Sequence, residues 1–405
     1  MRAVVVGGGI AGPAVALALQ KVGIEPSVVE ARPADARAAG SWFTISPNGL
    51  AALAEVDALQ RVRALGVPTR RNVMTGATGR TLGTLSLGAP LDDGTPALSF
   101  HRPRLASALL DEVAERGIRV YEGTRVEAVS ESGDVVVVDL ADGRRLTADV
   151  VIGADGIHSA VRACIDPTGP AGRYVGLTNF GGITRNTPLS AALAAESWTF
   201  VFGRRAFFGA LPTPAGDVVW FANVPREPIS PAERAATTLG DWRSQLVELA
   251  DADDGPVAAL IRDGELELAG DNTFDLPTVP IWHRGRIGLI GDAVHAPAPS
   301  SGQGASMALE DAVVMASSLG RADTVQEGLR AFEHLRRQRV EKIVAMGARA
   351  SSTKTPRGLR RVLNDTAMRL VFRYVVTERS QEWVFAHRVR IETPAGTGDR
   401  DAGGR

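Results

Sequence analysis

Short apolar runs bounded by glycine or a charged residue recur along the chain: Ala3 to Val6, Pro26 to Val29, Val150 to Ile152 and Ile287 to Ile290. Runs of this length, apolar without alternation, read as strands buried on both faces, the pattern of a parallel sheet. Helical patterns fall between and after them: Pro13 to Val22, from Pro47-Asn48 through about Leu65, after Phe100 to Leu105 as far as about Arg116, from Ala305 past Leu319, and from about Val325 to Met346. A different pattern, of period two, marks Val126 to Ser130 and Val135 to Leu140, with turn signals at Ser132-Gly133 and Asp142-Gly143; it predicts a β-meander. Asn72 to Phe100 is also β-rich. From about Asp166 the strands become aromatic: Tyr174 to Arg185, Thr199 to Phe202, Ala206 to Leu211 and Val218 to Val224, followed by short helices at Asp241 to Leu249 and Pro256 to Asp263. Alternation means that one set of these aromatic side chains faces away from the other. Whichever set faces the first unit would line a pocket.

Chemistry concentrates at the ends of the apolar runs. After the first run, Gly7, Gly9 and Gly12 fit G-x-G-x-x-G. Gly7 would make the tight turn, Gly9 would let a pyrophosphate approach the backbone, and Gly12 would let helix and strand pack closely. Pro13 falls in the first helical turn, where a missing N–H costs little. The second run ends at Glu30, placed to bind a ribose 2′-hydroxyl and to disfavour a 2′-phosphate, so FAD or NAD is expected rather than NADP. The run Val150 to Ile152 leads into Gly153-Ala154-Asp155-Gly156, where Asp155 either caps the helix starting near His158-Ser159 or serves a ligand. The last run ends at Gly291-Asp292, and a Pro- and Gly-rich loop (Pro297, Pro299, Gly302, Gly304) leads into the helix at Ala305. Strand ends of this kind bind ligands, with a carboxylate for hydroxyl groups and a helix start for negative charge.

These features predict an α/β fold: a Rossmann-like dinucleotide-binding domain, a second α+β substrate domain on an antiparallel sheet, and C-terminal helices. The first domain is discontinuous, comprising 1–71, 98–170 and 275–345. The second comprises 72–97 and 171–274, a helical segment covers 346–392, and 393–405 is a Gly- and Asp-rich disordered tail. Composition narrows the function. The 405 residues are 44% hydrophobic and 22% charged, enough for a sizeable core. The 45 basic and 46 acidic residues leave a net charge of −1, which favours neither nucleic acid nor an anionic membrane as partner. The basic stretch with Arg357, Arg360, Arg361, Arg369 and Arg373 reads as a solvated face. Cys164 is the single cysteine, so an intramolecular disulfide and a Cys-rich metal or iron–sulfur site are excluded, and a cytoplasmic location is expected. The N-terminus has the outline of a signal peptide, but three glycines interrupt its apolar run, and no apolar stretch reaches the ~18 residues of a membrane span.

Taken in order, GGGIAG with Glu30, GADGIHSAVR and GDAVHAPAPSSGQG resemble the FAD-dependent aromatic hydroxylases, the group A flavoprotein monooxygenases of the p-hydroxybenzoate hydroxylase-like fold. The match extends over nearly the whole chain, and Arg102 to Leu105 fits the R-x-x-L of that group. The resemblance implies FAD as cofactor. Gly7, Gly9, Ala11, Gly12, Glu30 and Ala31 would hold the ADP half, with Val126 near the adenine and Arg102 in contact with FAD. Asp155 and Gly156 would belong to the motif associated with FAD and NAD(P)H. Asp292 would bind the ribityl chain, and Pro299, Gly302, Gly304 and Ala305 would lie beside the isoalloxazine. Members often carry Asn where Ser306 stands. There is no second G-x-G-x-x-G for a nicotinamide nucleotide.

The resemblance further implies that NAD(P)H reduces FAD, that O2 adds at flavin C4a, and that the hydroperoxide passes one oxygen to a bulky aromatic or polycyclic small molecule. The aromatic positions Phe180, Phe200, Phe202, Phe208 and Phe221 are the candidate substrate wall. No catalytic base is assigned: His295 reads as structural, and His101, His158 and His283 are no better placed. The expected partners are an aromatic substrate, O2 and NAD(P)H, in a monomer or homodimer. A reductase or epoxidase of the same superfamily would share all three motifs, and a non-catalytic binding protein of this fold is the remaining alternative. A halogenase is disfavoured by the lack of W-x-W-x-I-P.

Overall fold

The structure is a computed structural model that describes residues 1–33, 40–276, 278–298, 301–351 and 378–392. Its elements are numbered along the chain. The predicted buried runs form one six-stranded sheet in the order β18 (His283–Arg284), β19 (Ile287–Leu289), β12 (Val150–Gly153), β1 (Arg2–Val6), β2 (Glu25–Glu30), β8 (Arg119–Glu122). All neighbours are parallel except β18 with β19. The helix α1 (Ala11–Lys21) leaves β1 toward β2, while β12 lies on the other side of β1. The carboxyl ends of β1 and β12 therefore flank the point where the strand order reverses, the crevice in which such sheets bind ligands.

A three-stranded meander, β11 (Arg145–Ala148), β10 (Val135–Leu140), β9 (Val126–Ser132), sits beside this sheet as its alternation predicts. A second three-stranded sheet joins β3 (Trp42–Ile45), β7 (Leu98–His101) and β4 (Val67–Pro68). The expected helix from Pro47 to Leu65 is two helices, α2 (Pro47–Glu55) and α3 (Leu59–Arg63), separated at Asp57, whose φ of 57° is left-handed. A residue in that region breaks the helical repeat. Helix α4 (Arg102–Glu115) follows β7 directly. Helix α5 (Ala160–Ile165) follows β12 and is capped by Ser159.

The seven-stranded sheet runs β17 (Glu265–Asp275), β13 (Arg173–Thr184), β16 (Val218–Pro225), β15 (Phe207–Pro212), β14 (Ser197–Phe202), β5 (Arg71–Gly76), β6 (Thr81–Ser86). It is antiparallel as expected except that β14 pairs with β5 in parallel. Helices α6 (Pro231–Ala236), α7 (Leu239–Ala250) and α8 (Val257–Asp263) connect its strands. Trp198 on β14 donates its indole N–H to Thr44 (3.1 Å) and Ser99 (3.0 Å), which ties this sheet to β3 and β7.

Helices α9 (Gly304–Arg321) and α10 (Val325–Ser351) pack together over the six-stranded sheet, and α11 (Glu378–Phe385) returns to them. The expected basic stretch from Arg357 to Arg373 and the tail 393–405 lie outside the described residues. Between α9 and α10 lies a buried charge network. Arg336 is 1% exposed and binds Glu310 (2.7 Å) and Asp311 (2.8 Å). Arg339 binds Glu310 (2.8 Å) and also donates to the carbonyls of Trp383 (2.8 Å) and Val384 (2.9 Å) in α11. Asn48 of α2 donates to Glu310 at 2.7 Å. Asp311 accepts from the Gly291 N–H (3.0 Å) and pairs with His295. Burial alone would raise both carboxyls, but Arg336, with Arg339 at Glu310 and His295 at Asp311, holds each below the usual carboxylate range.

Removing one partner from such a network strands a buried charge, which costs ~3–5 kcal/mol. Arg336→Met should lower the unfolding free energy by about that amount in urea melts; an unchanged midpoint would refute the central role given to the network. Both carboxyls titrate below their unfolded values. The stability they confer is therefore full above about pH 4 and is lost as pH falls through the folded values. Urea midpoints measured from neutral to acid pH should show that decline.

Candidate active site

The glycine turn after β1 is fixed by close contacts. Gly7 has φ +113°, and a Cβ there would lie 2.4 Å from the Ala154 carbonyl oxygen at the end of β12. A Cβ at Gly12 would lie 1.8 Å from the Gly7 carbonyl oxygen, so α1 and β1 meet at backbone distance. Gly9 differs: a Cβ there would meet nothing within 4 Å, leaving its backbone open to the crevice. Glu30 ends β2 and accepts from the N–H groups of Gly8 (2.5 Å) and Arg32 (2.8 Å), which aims its carboxylate at the same turn. Ala11 is buried beside Gly291, and Ala31 is exposed after Glu30. Val126 opens β9, half-buried against the main core.

Arg102 is exposed at the first turn of α4, its N–H donating to the Ser41 carbonyl at 3.0 Å. Its charge, with those of Arg234 and Arg32, acts on Asp271 of β17, whose carboxyl burial nonetheless pushes up. Arg32 and Arg102 thus stand near one carboxylate. Of the two roles open to Asp155, the structure gives the cap. Its carboxylate accepts from Ser159 Oγ (2.5 Å), Ala160 N (2.7 Å) and Val161 N (3.2 Å), which fastens the start of α5. Gly156 follows at φ +80° with open space beside it.

Asp292 lies just beyond β19, half-buried, and its carboxylate has no hydrogen-bond or ion-pair partner among the described residues. A Cβ on Gly304 would be 3.8 Å from Asp292 Oδ1, which brings this acid to the start of α9. Gly302 makes the entry turn at φ +61°. The N–H groups of Gly304, Ala305 and Ser306 have no acceptor within the helix, because the first backbone bond of α9 is Met307 to Gln303 (2.8 Å). No acidic side chain occupies this first turn. Ser306 is fully buried and its hydroxyl accepts from Ser46 N (3.2 Å), so its side chain fastens α9 to α2. His295 is buried with Nε2 on Asp311, the structural place expected for it. Pro299 lies outside the described residues.

The aromatic positions divide between two faces of the seven-stranded sheet. Phe180 and Phe208 pack under α7 and α8 in a core with Trp220, Leu246 and Leu260, and the Phe180 ring is 5.4 Å from that of Trp242. Their expected role in a substrate wall is therefore corrected: alternation sends them to the helix-covered face. Phe200 and Phe221 lie on the opposite face, with Trp198, Leu211 and Ile183, against Trp42 of β3 and Val67 of β4. Phe202 joins Met74 and Leu82 at the β5–β6 end, where its ring is 5.1 Å from that of Phe207. Sequence reasoning missed Trp42, Trp198 and Glu267 on this inner side and weighed His101 only as a catalytic base. The ELEL alternation at Glu265 to Leu268 was a usable sign of β17.

A protein-family model described as "FAD binding domain" matches residues 1–346. The chain is 33% identical over 386 residues to 3-amino-4-hydroxybenzoate 2-monooxygenase PtnB3 of Streptomyces platensis, covering 91% of this chain and 92% of that one. It is 31% identical over 351 residues to the FAD-dependent urate hydroxylase of Klebsiella pneumoniae, covering 85% and 88%. The crystal structure of Klebsiella pneumoniae HpxO complexed with FAD and uric acid superposes with a TM-score of 0.79 at 27% identity, over 95% of each chain.

The two glycines separate fold from ligand. Gly12→Ala should lower the stability of the protein by ~1–3 kcal/mol through overpacking. Gly9→Ala should leave the melting temperature of the FAD-free protein unchanged and weaken FAD binding. Equal melting temperatures for the two variants would contradict the contacts described.

Proposed function

This chain belongs to the FAD-binding-domain family and is an FAD-dependent monooxygenase, and we propose that it uses NAD(P)H and O2 to hydroxylate a bulky aromatic or polycyclic small molecule. The observation that carries this reading is the carboxylate of Asp292, unpartnered among the described residues, beside the first N–H groups of α9, which have no acceptor within the helix, with Gly9 and Glu30 at the β1–β2 end of the sheet. The residues present fit FAD: an acceptor for each hydroxyl-bearing part, open backbone for a pyrophosphate, and a positive helix end for the ring edge that gains negative charge. When bound, FAD supplies the hydride acceptance and oxygen transfer that no side chain can.

The chain does the rest. Gly7, Gly9 and Gly12 shape the pyrophosphate turn, and Glu30 accepts from the adenosine ribose. Arg102 of α4 and Val126 of β9 would hold the cofactor, the latter at its adenine. Asp292 accepts from the ribityl hydroxyls. The N–H groups at Gly304 and Ala305 would stabilise negative charge on the reduced flavin, as an oriented set of donors can. Phe200 and Phe221, with Trp198 and Trp42, form an apolar wall that keeps water out. The relatives named above act on urate and on 3-amino-4-hydroxybenzoate, which supports a planar ring as substrate. The division into an FAD-binding unit (1–71, 98–170 and 275–345) and a substrate unit (72–97 and 171–274) is part of the same proposal, as is a cytoplasmic monomer or homodimer. Among the described residues no helix is long and apolar enough to cross a membrane.

The test is a panel of aromatic compounds added to FAD-loaded protein with NADH or NADPH and isotope-labelled O2. The expected result is stimulated nucleotide oxidation with one labelled oxygen in the product. Nucleotide oxidation that yields a reduced, unlabelled product would make the protein a reductase. Asp292→Ala should weaken FAD binding ~10–100-fold, the loss of hydrogen bonds to a charged group; undiminished affinity would remove Asp292 from the site.

A further inference from the structure

Two asparagines stand opposite each other in the interior of the seven-stranded sheet. Asn179 on β13 and Asn223 on β16 are cross-strand partners, and each strand has a neighbour on its other side. Asparagine is depleted in strands, where its side chain packs poorly. Neither carboxamide has a hydrogen-bond partner among the described residues. Yet Asn223 is 6% exposed, and the Oδ1 of the half-buried Asn179 is itself buried. Buried polar groups are nearly always satisfied, so an unpaired couple of amides calls for a ligand or a water.

Alternation fixes the face on which they lie, because the pairing of β13 with β16 is regular from Leu177 to Thr184. Phe180 and Ala222 belong to the core under α7 and α8, and Thr184 donates to the Leu260 carbonyl of α8 at 2.6 Å. Asn179 and Asn223 therefore take the opposite face, the one that carries Ile183, Val219 and Phe221. The row continues on both sides. On β15 the partner of Asn223 is Phe207, whose ring is 6.0 Å from that of Phe221. On β17 the partner of Asn179 is Asp271, which is exposed and feels the charges of Arg102, Arg32 and His158. The two amides thus lie between the aromatic wall and the edge of the sheet nearest the start of α4. Gly181, next on the same face of β13, leaves room beside them: a Cβ there would meet nothing closer than 3.6 Å.

Resting on the monooxygenase reading, we infer that Asn179 and Asn223 form a carboxamide anchor for the edge of a nitrogen heterocycle in which a ring N–H adjoins a carbonyl, so that the substrate class is an aromatic lactam. The chemistry of the pair selects that edge. Each carboxamide carries an acceptor oxygen and a donor NH2. A ring edge with a donor beside an acceptor meets both at once, as the adenine edge meets asparagine in the major groove of DNA. A lone hydroxyl has one hydrogen for two acceptor oxygens, and an ether or a hydrocarbon edge has none for the buried Oδ1 of Asn179. Bonding along its edge leaves the faces of the ring to the aromatic side chains of Phe207 and Phe221. These are specificity-determining residues, and a site built to bond an N–H rejects the analogue that lacks it.

The test uses 2-quinolone and N-methyl-2-quinolone as probes, with affinities for the FAD-loaded protein measured by equilibrium dialysis. The wild-type protein should bind the N–H compound about tenfold or more tightly than its N-methyl derivative, as expected when a buried acceptor is left unpaired. In Asn179→Val and in Asn223→Val the two probes should bind within about twofold of each other. Melting temperature supplies a second readout. Valine suits a strand and removes an unpaired amide, so neither variant should melt below the wild-type protein; side chains with only a structural role would lower it. Flavin absorbance identifies a variant that fails to fold, and the other variant then decides. Equal binding of the two probes by wild-type protein, no measurable binding of 2-quinolone, an unchanged preference in both folded variants, or a lower melting temperature in both would overturn the inference. If FAD uptake and substrate-stimulated oxygen labelling are normal while the preference is absent, this inference fails alone; a protein that takes up no FAD fails the underlying reading as well.

Discussion

A guanidinium taken out of water must be neutralised on the spot, and the cofactor side of this molecule is arranged around that requirement. Arg336 sits between Glu310 and Asp311 with no route to solvent. Those two acids are consecutive on α9, so satisfying the arginine fixes the rotation of the helix about its axis. Asp311 then holds the Gly291 N–H and His295, which sets the turn carrying Asp292. Glu310 holds Asn48, which ties α2 to the same helix, and Arg339 extends the grip to α11. The network is not placed to react with anything. It is the means by which a half-buried carboxylate and three N–H groups without an acceptor in their own helix are presented together.

The opposite wall is positioned by a smaller device. The Trp198 indole N–H reaches Thr44 and Ser99 across the boundary between two sheets. One donor shared by two hydroxyls, in an otherwise apolar contact, fixes register where apolar packing alone is permissive. The result is a polar helix start at α9 and, on the inner face of the seven-stranded sheet, an apolar aromatic surface at β14 to β16. That asymmetry suits a cofactor that gains negative charge while handling a reactive form of oxygen. On the same sheet the bulge in β17 aims Glu267 where strict alternation would not.

The legible parts of the sequence were those whose physics is local. The buried runs, the glycine turn and Glu30 follow from periodicity and from spacing within about thirty residues. The structure extends that logic: Gly7 and Gly12 are explained by contacts of 2.4 and 1.8 Å, and Gly9 by the lack of any. The parts that escaped depend on partners far apart in the chain. Nothing near Glu310 or Asp311 announces Arg336, and Ser306 finds Ser46 across 260 residues. The aromatic strands could be read as alternating, but which phase faced inward depended on α7 and α8, and Phe180 and Phe208 were consigned to their core. Asp155 was legible as a candidate cap, and the three hydrogen bonds it accepts show that role.

The central claim is that two acids 262 residues apart in sequence, Glu30 and Asp292, hold the two ends of one dinucleotide. The direct measurement is a calorimetric titration of the flavin-free protein with FAD and, separately, with FMN, which carries the ribityl and ring but not the adenosine. Binding through both ends predicts that FAD binds at least ~100-fold more tightly than FMN, a difference of about 2.7 kcal/mol. Equal affinities would mean that the glycine turn and Glu30 contribute nothing to the cofactor, and would contradict the account.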